Sequence, residues 1–86
     1  MQDSLFALLA SGVVHFKYHV ADKMKVTLKL FDVTGKVIDV PVNNENLTAG
    51  DYELNYNLNK LSTGVYFATI ANNGITVQSI KFNVSK

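Results

Sequence analysis

Apolar and polar side chains alternate one residue at a time through much of this 86-residue chain. The clearest run places Tyr52, Leu54, Tyr56 and Leu58 on one parity, with polar side chains between them. Successive side chains of a β-strand point to opposite faces, whereas an amphipathic helix repeats its apolar positions every three to four residues. This run therefore predicts a half-buried strand and excludes an amphipathic helix.

The same alternation predicts five further strands, separated by turn residues. Pro41 lacks a backbone N–H, so its strand is expected at a sheet edge or a bulge. In the last strand the apolar parity changes after Val77, which predicts a β-bulge near Gln78 and Ser79. The predicted strands are residues 13–20, 26–32, 37–42, 52–58, 65–71 and 75–84, and residues 43–50 are predicted to form a polar loop in which Leu47 folds back as an apolar anchor.

Two short segments carry the chemistry of tight turns. In residues 32–36, Asp32 can accept hydrogen bonds from the backbone that follows it, and Gly35 can adopt a positive φ. Asn73 and Gly74 form the dipeptide most typical of a two-residue hairpin. Short strands, frequent turns and no convincing helix predict an all-β sandwich of two sheets, and 86 residues are enough for one core only.

The first twelve residues do not alternate. Their apolar run, residues 5–10, is too short for a membrane span and for the core of a signal peptide. Asp3 or Ser4 is expected to cap a short helix that Gly12 ends. Residues 1–12 are therefore predicted to be an N-terminal extension or linker, with residues 13–86 as the folded domain; the helix is expected to carry Leu5, Phe6, Leu8 and Leu9.

The titratable side chains do not suggest a catalytic or metal-binding set. His15 and His19 are four residues apart, which on a strand separates them by roughly 13 Å, too far to share one ion. The chain has no Cys, and no Ser lies in the strand–turn–helix elbow that nucleophilic catalysis uses. We predict a protein that is not an enzyme, with no catalytic residues, no bound metal and no cofactor.

The charge balance argues against nucleic acid as a partner. Eight basic residues, all of them Lys, face seven acidic ones for a net charge of +1. Phosphate and base recognition commonly depend on a strong positive field and on the bidentate guanidinium of Arg. We expect no nucleic-acid binding and no stable insertion into a membrane.

Leu61, Gly64 and Tyr66 have the spacing of a tyrosine corner, a feature of Greek-key sandwiches. In such a corner a buried Tyr hydroxyl bonds to the backbone a few residues upstream. We expect Tyr66 to be buried and to bond to a backbone group near Leu61 or Ser62. The expected fold is an immunoglobulin-like Greek-key β-sandwich of six to seven antiparallel strands.

Four motifs in order resemble the C-terminal sorting domain of the type IX secretion system, over about residues 13–86. Each motif is weak alone, and the order and spacing of the four carry the resemblance. The chain lacks a Tyr-Pro-Asn-Pro-like segment before Val13, and Thr69 occupies a position where the family often has a basic residue. The motifs are KVTLKLFDVTGKV at residues 25–37, LTAG at 47–50, LSTGVYF at 61–67, and Lys81 in the last strand.

The resemblance implies an immunoglobulin-like module at the C-terminus of a secreted protein of Bacteroidota, which directs that cargo across the outer membrane. The implied partners are the type IX secretion machinery, a sorting protease and a cargo domain N-terminal to this chain. The implied location is secreted or on the cell surface, reached through the periplasm and outer membrane. The candidate recognition residues are Lys81, Lys86, Gly64 and Tyr66, and the structural motif residues are Asp32, Gly35, Leu61, Gly64 and Tyr66.

Two other classes of function fit some of the same residues. A hook-capping-type domain or a fibronectin-like structural spacer shares the Asp-x-x-Gly turn and the tyrosine corner. A carbohydrate-binding module would need an exposed aromatic platform, for which only Phe31 and Phe67 lie on outward-facing parities.

Overall fold

The computed structural model describes residues 4–10 and 12–85. They form two antiparallel sheets, and the predicted all-β sandwich is confirmed. One 3-10 turn, Leu58–Lys60, follows β5. The seven strands are β1 (Ser4–Ala10), β2 (Val13–Val20), β3 (Met24–Asp32), β4 (Val37–Leu47), β5 (Gly50–Asn57), β6 (Gly64–Asn72) and β7 (Ile75–Val84).

The chain crosses between the two sheets in the Greek-key manner. One sheet has the strand order β1-β2-β5 and the other has the order β4-β3-β6-β7. The chain passes from β2 to β3 in the second sheet, and β5 returns to pair with β2 in the first. This order is that of an immunoglobulin-like sandwich, with β4 and β7 at the edges of the four-stranded sheet.

The core lies between the sheets and contains the inward parity of the central strands. Within the described residues no charged or polar side chain is buried in it. Phe16 and Phe82 contact edge to face, with ring centroids 5.4 Å apart. The buried residues are Leu5, Val14, Phe16, Tyr18, Val20, Val26, Leu28, Leu30, Val42, Tyr56, Leu61, Tyr66, Ala68, Ile70, Phe82 and Val84.

The helix expected near the N-terminus is wrong, because Ser4–Ala10 is a strand. β1 pairs with β2 along its whole length, from Ser4 opposite His19 to Ala10 opposite Val13. Leu5 is 2% exposed and belongs to the core. The apolar spacing is compatible with either a helix or a strand. The segment forms a strand because the free edge of β2 can pair with it. Asp3, one of the two expected caps, lies outside the described residues, and the separation of residues 1–12 as an extension or linker stays a prediction.

β4 is longer than predicted, and the expected polar loop is largely a strand. β4 continues to Leu47, so only Thr48 and Ala49 separate it from β5. The register against β3 shifts by one residue between the pairs Val26–Glu45 and Leu28–Val42. Asn44 has a φ of 53° at this bulge, a conformation that Asn tolerates better than most residues. Because the bulge interrupts the alternation, a strand of mainly polar residues resembles a loop in the sequence.

The edge position of β4 confirms the expectation from Pro41. The bulge predicted in β7 is present at Val77, one residue before the predicted position, because Ile70 pairs with Gln78 and Ala71 with Thr76. Before the bulge the apolar side chains are exposed, with Ile75 at 70%. After the bulge, Phe82 and Val84 are buried.

Candidate functional site

The tyrosine corner lies at the start of β6. The Tyr66 hydroxyl donates a hydrogen bond of 2.7 Å to the Ser62 carbonyl oxygen. Tyr66 is buried and stacks on Phe82, with ring centroids 5.8 Å apart, and Leu61 is also buried. A Cβ atom at Gly64 would lie 3.8 Å from the Tyr66 ring, an ordinary contact distance. The corner therefore joins the entrance of β6 to the core side of β7.

The Asp32 carboxylate organises the turn between β3 and β4. Its Oδ1 accepts hydrogen bonds from the Thr34 hydroxyl at 2.6 Å, the Thr34 amide at 2.9 Å and the Lys36 amide at 3.1 Å. The Thr34 hydroxyl is the main cause that holds the pKa of Asp32 below its ordinary value, with help from the Lys36 amide. Gly35 has a φ of +89°, which side chains disfavour. This geometry gives Asp32 and Gly35 a structural role.

The hairpin of β6 and β7 contains most of the proposed recognition residues. Its turn has positive φ at both Asn73 and Gly74, the geometry of a type I′ hairpin. In the register, Phe67 lies opposite Lys81. Lys81 is exposed and points away from the core, between Ile80 and buried Phe82. Lys86 lies outside the described residues.

The two aromatic residues that the sequence predicted to face outward come together on the four-stranded sheet. Phe31 of β3 lies directly opposite Phe67 of β6. The 35 residues between them in the chain hide this pairing from any local pattern. Val37 of β4 lies opposite Phe31 on its other side, so an apolar row crosses three strands and ends at Lys81 on the fourth.

This fold, with the corner at Tyr66 and the turn at Asp32, agrees with a direct sequence comparison. A model of the family described as the secretion system C-terminal sorting domain matches residues 10–85. The chain belongs to this family. A search of curated proteins finds no match.

Membership establishes the role of the module. The sorting domain is a C-terminal sorting signal for type IX secretion, and its family is not catalytic. It implies interaction with the type IX machinery, a cargo N-terminal to the sorting domain, and a secreted or cell-surface location for that cargo. In the described part of the chain, no helix is long and apolar enough to span a membrane.

On each side of the sorting domain, a side-chain bridge joins the edge strands of the two sheets. Neither bridge was predicted from the sequence. Gln78 of β7 bonds to the backbone of Leu5 in β1. On the other side, the Tyr56 hydroxyl of β5 donates a 2.6 Å hydrogen bond to Asp39 Oδ2 of β4. Burial, and then the Asp39 carboxylate, raise the pKa of the Tyr56 hydroxyl. Each bridge joins edge strands of different sheets, a relationship that strand alternation does not encode.

The outer face of the three-stranded sheet carries both histidines. His15 Nδ1 lies 3.0 Å from Glu53 Oε2 and 2.7 Å from Asn55 Oδ1. His19 Nδ1 lies 2.7 Å from Asp51 Oδ1. Between residues 4 and 85, leaving aside residue 11, no group of three or more His, Cys, Asp or Glu side chains is placed to hold a metal ion. The histidines instead join neighbouring strands on the surface.

Proposed function

We propose that the hairpin of β6 and β7 is the part of the sorting domain that the secretion machinery reads. The observation that carries the proposal is the position of β7, which is the edge strand of the four-stranded sheet and displays Lys81. An edge strand offers unpaired backbone groups to a partner strand. Within the described residues no further strand pairs with the outer edge of β7.

The recognition residues have different roles in this proposal. Lys81 is exposed and supplies a charge that a partner can contact directly. Gly64 and Tyr66 act indirectly, because the bond from Tyr66 to Ser62 sets the start of the hairpin. Lys86, which follows the end of β7 by two residues in the sequence, is proposed as a further recognition residue.

We also propose the route by which the cargo is exported. The cargo crosses the periplasm and the outer membrane, and a sorting protease removes the domain from it. Residues 13–86 carry the sorting motifs, and residues 1–12 lead to the cargo, with β1 packed on the sandwich. The chain itself catalyses no reaction, binds no nucleic acid and does not insert stably into a membrane, in keeping with a charge of +1 without Arg.

A reporter protein with a signal peptide, fused to the whole chain, tests this proposal in a host with type IX secretion. The fusion should reach the cell surface, whereas a fusion that lacks residues 75–86 should stay in the periplasm. Because that deletion removes the buried residues Phe82 and Val84, Lys81→Ala is the second variant. Lys23→Ala, at an exposed residue between β2 and β3, is its matched control.

The outcomes separate sorting from a structural spacer. A full-chain fusion that stays folded in the periplasm would contradict the sorting role and favour the spacer. Normal export of the Lys81→Ala fusion would show that Lys81 is not a recognition residue. The fusion that lacks residues 75–86 would still test the role of the hairpin. Export of the fusion that lacks residues 75–86 would contradict the role of the hairpin itself.

A further inference from the structure

The outward face of the four-stranded sheet combines an apolar centre with positive charge. Its centre is the Phe31–Phe67 pair, with Val37 beside it on β4. Lys29 points outward from β3, opposite Thr69, and Lys81 points outward from β7, opposite Phe67. Both Lys side chains are exposed. Lys81 therefore lies beside Phe67 across the sheet, and Lys29 lies two residues from Phe31 along β3.

Within the described residues, neither Lys29 nor Lys81 forms an ion pair. The acidic residues of β4 do not neutralise them. In the register, Asp39 lies opposite Leu30 and Glu45 lies opposite Val26, so both are on the inward parity of the sheet. The positive charge of this face is therefore available to a partner.

The opposite sheet is a natural comparison within the same molecule. On its outer face Lys17 lies 3.9 Å from Glu53, and His19 lies 2.7 Å from Asp51. On that face, carboxylates of β5 lie beside the Lys and His side chains of β2. Because Lys29 and Lys81 form no ion pair with any described residue, the outward face of the four-stranded sheet is the one that complements an acidic partner.

A shallow groove lies beside the aromatic pair. Its volume is about 360 Å³, and it is lined by residues that include Thr27, Lys29, Phe31, Asn44 and Thr69. The bulge in β4 brings Asn44 to this groove, where its backbone N–H donates to the Thr27 hydroxyl at 3.0 Å. Bulges commonly redirect side chains next to functional sites. The groove adds neutral hydrogen-bonding groups next to the charged and aromatic ones.

We propose that this face docks an extended acidic segment of a protein of the secretion machinery, with an apolar residue between two carboxylates. Lys29 and Lys81 are two strands and two residues apart, a separation of about 12 Å from ordinary sheet spacings. An extended peptide spans that distance in four residues. The segment that fits has the pattern acidic-x-apolar-x-acidic, with its apolar side chain on the Phe31–Phe67 pair. This inference rests on the proposed sorting function, and it adds the β3 residues Lys29 and Phe31 to the surface.

Binding to a synthetic peptide tests the inference without the export machinery. The probe is a fluorescent ten-residue peptide that contains Glu-Thr-Phe-Thr-Glu, and its control carries Lys at both Glu positions. The Glu peptide should bind the full chain, and the double variant Lys29→Glu with Lys81→Glu should weaken binding roughly tenfold. The double variant Lys17→Glu with Lys23→Glu changes the net charge equally on other surfaces and should bind as the unchanged chain does.

Three results would overturn this inference. One is no binding of the Glu peptide, and another is equal binding of the Glu and Lys peptides. The third is binding of polygalacturonate, an anionic polysaccharide, in place of the peptide, which would favour a glycan site on this face. Circular dichroism of each variant confirms that it is folded.

Export assays relate the inference to the proposed function. If the fusion to the unchanged chain reaches the surface and the Lys29→Glu fusion does so equally well, the docking surface is wrong and the sorting function stands. If the unchanged fusion stays periplasmic while the peptide binds as expected, the sorting role of the hairpin fails and the binding surface stands.

Discussion

The side-chain amide of Gln78 forms two hydrogen bonds with the backbone of Leu5, 73 residues earlier in the chain. Gln78 Nε2 donates to the Leu5 carbonyl oxygen at 2.8 Å, and Gln78 Oε1 accepts from the Leu5 N–H at 2.8 Å. One side chain thus pairs with the outer edge of β1 as a neighbouring strand would. The bridge ties the first strand to the last one, which belongs to the other sheet.

Replacement of Gln78 should loosen β1. Gln78→Ala is expected to lower the free energy of unfolding by about 1 to 2 kcal/mol, because two hydrogen bonds to a partly buried backbone are lost. Amide hydrogen exchange at Leu5 should rise above that of the unchanged protein. Ser79→Ala, at the exposed next residue, is the matched control. Unchanged exchange at Leu5 would show that the bridge does not hold β1.

Leu5 tests whether β1 belongs to the cooperative fold. Leu5→Ala should destabilise the domain by about 2 kcal/mol or more, because it removes a core side chain that is 2% exposed. Phe6→Ala, at the outward neighbour that is 49% exposed, should cost much less. Denaturant unfolding measures both. Equal effects would mean that β1 adds little to the core.

The tyrosine corner should contribute measurably to stability. Tyr66→Phe removes the hydroxyl that bonds to Ser62 and is expected to cost about 1 to 3 kcal/mol. The denaturation midpoint should fall while the slope stays the same. Tyr52→Phe is the control, because its hydroxyl bonds to the Thr48 carbonyl oxygen at an exposed site. A midpoint that does not move in Tyr66→Phe would contradict the role of the corner.

Stability should decrease in acid through the bridge between Asp39 and Tyr56. The Tyr56 hydroxyl is the main cause that lowers the pKa of Asp39 from its ordinary 3.8, and the Val40 amide and Lys60 act in the same direction. The unfolded chain therefore binds a proton more readily, so this contribution is present above pH 3.8 and is lost as the pH falls through the lower native value.

Unfolding by denaturant between pH 6 and pH 2 measures this loss. Tyr56→Phe should be less stable at pH 6 and should lose less stability on acidification than the unchanged protein. Asp32, whose pKa is also lowered, titrates in both proteins, so its effect cancels in the comparison. Parallel pH curves for the two proteins would contradict the assignment.

The hairpin turn should depend on Gly74. Gly74 has a φ of +85°, and no atom lies within 4 Å of where its Cβ would be, so Gly74→Ala tests backbone conformation alone. The expected cost is about 1 to 2 kcal/mol. Gly64→Ala is the matched control, since its φ is not positive and its Cβ would make an ordinary contact. Equal thermal midpoints for the two variants would contradict this prediction.

The features that could be predicted from the sequence are those that depend on residues close together in the chain. Alternation identified the inward faces of β2, β3 and β5, because a strand places every second side chain on one face. The spacing of Leu61, Gly64 and Tyr66 was enough for the corner, since all its parts lie within a few residues. The turn at Asn73 and Gly74 was predicted for the same reason.

Tertiary contacts decided the rest. β1 is a strand because β2 offers it an edge and the core has room for Leu5. Phe31 meets Phe67, and Gln78 meets Leu5, only because the sheets bring distant strands together. Local patterns indicate which face of a strand a side chain occupies. Pairing between distant strands depends instead on the packing of the whole sandwich. Local sequence thus specifies most of the strands and turns, whereas the assembled sheets decide β1 and create the surface proposed for recognition.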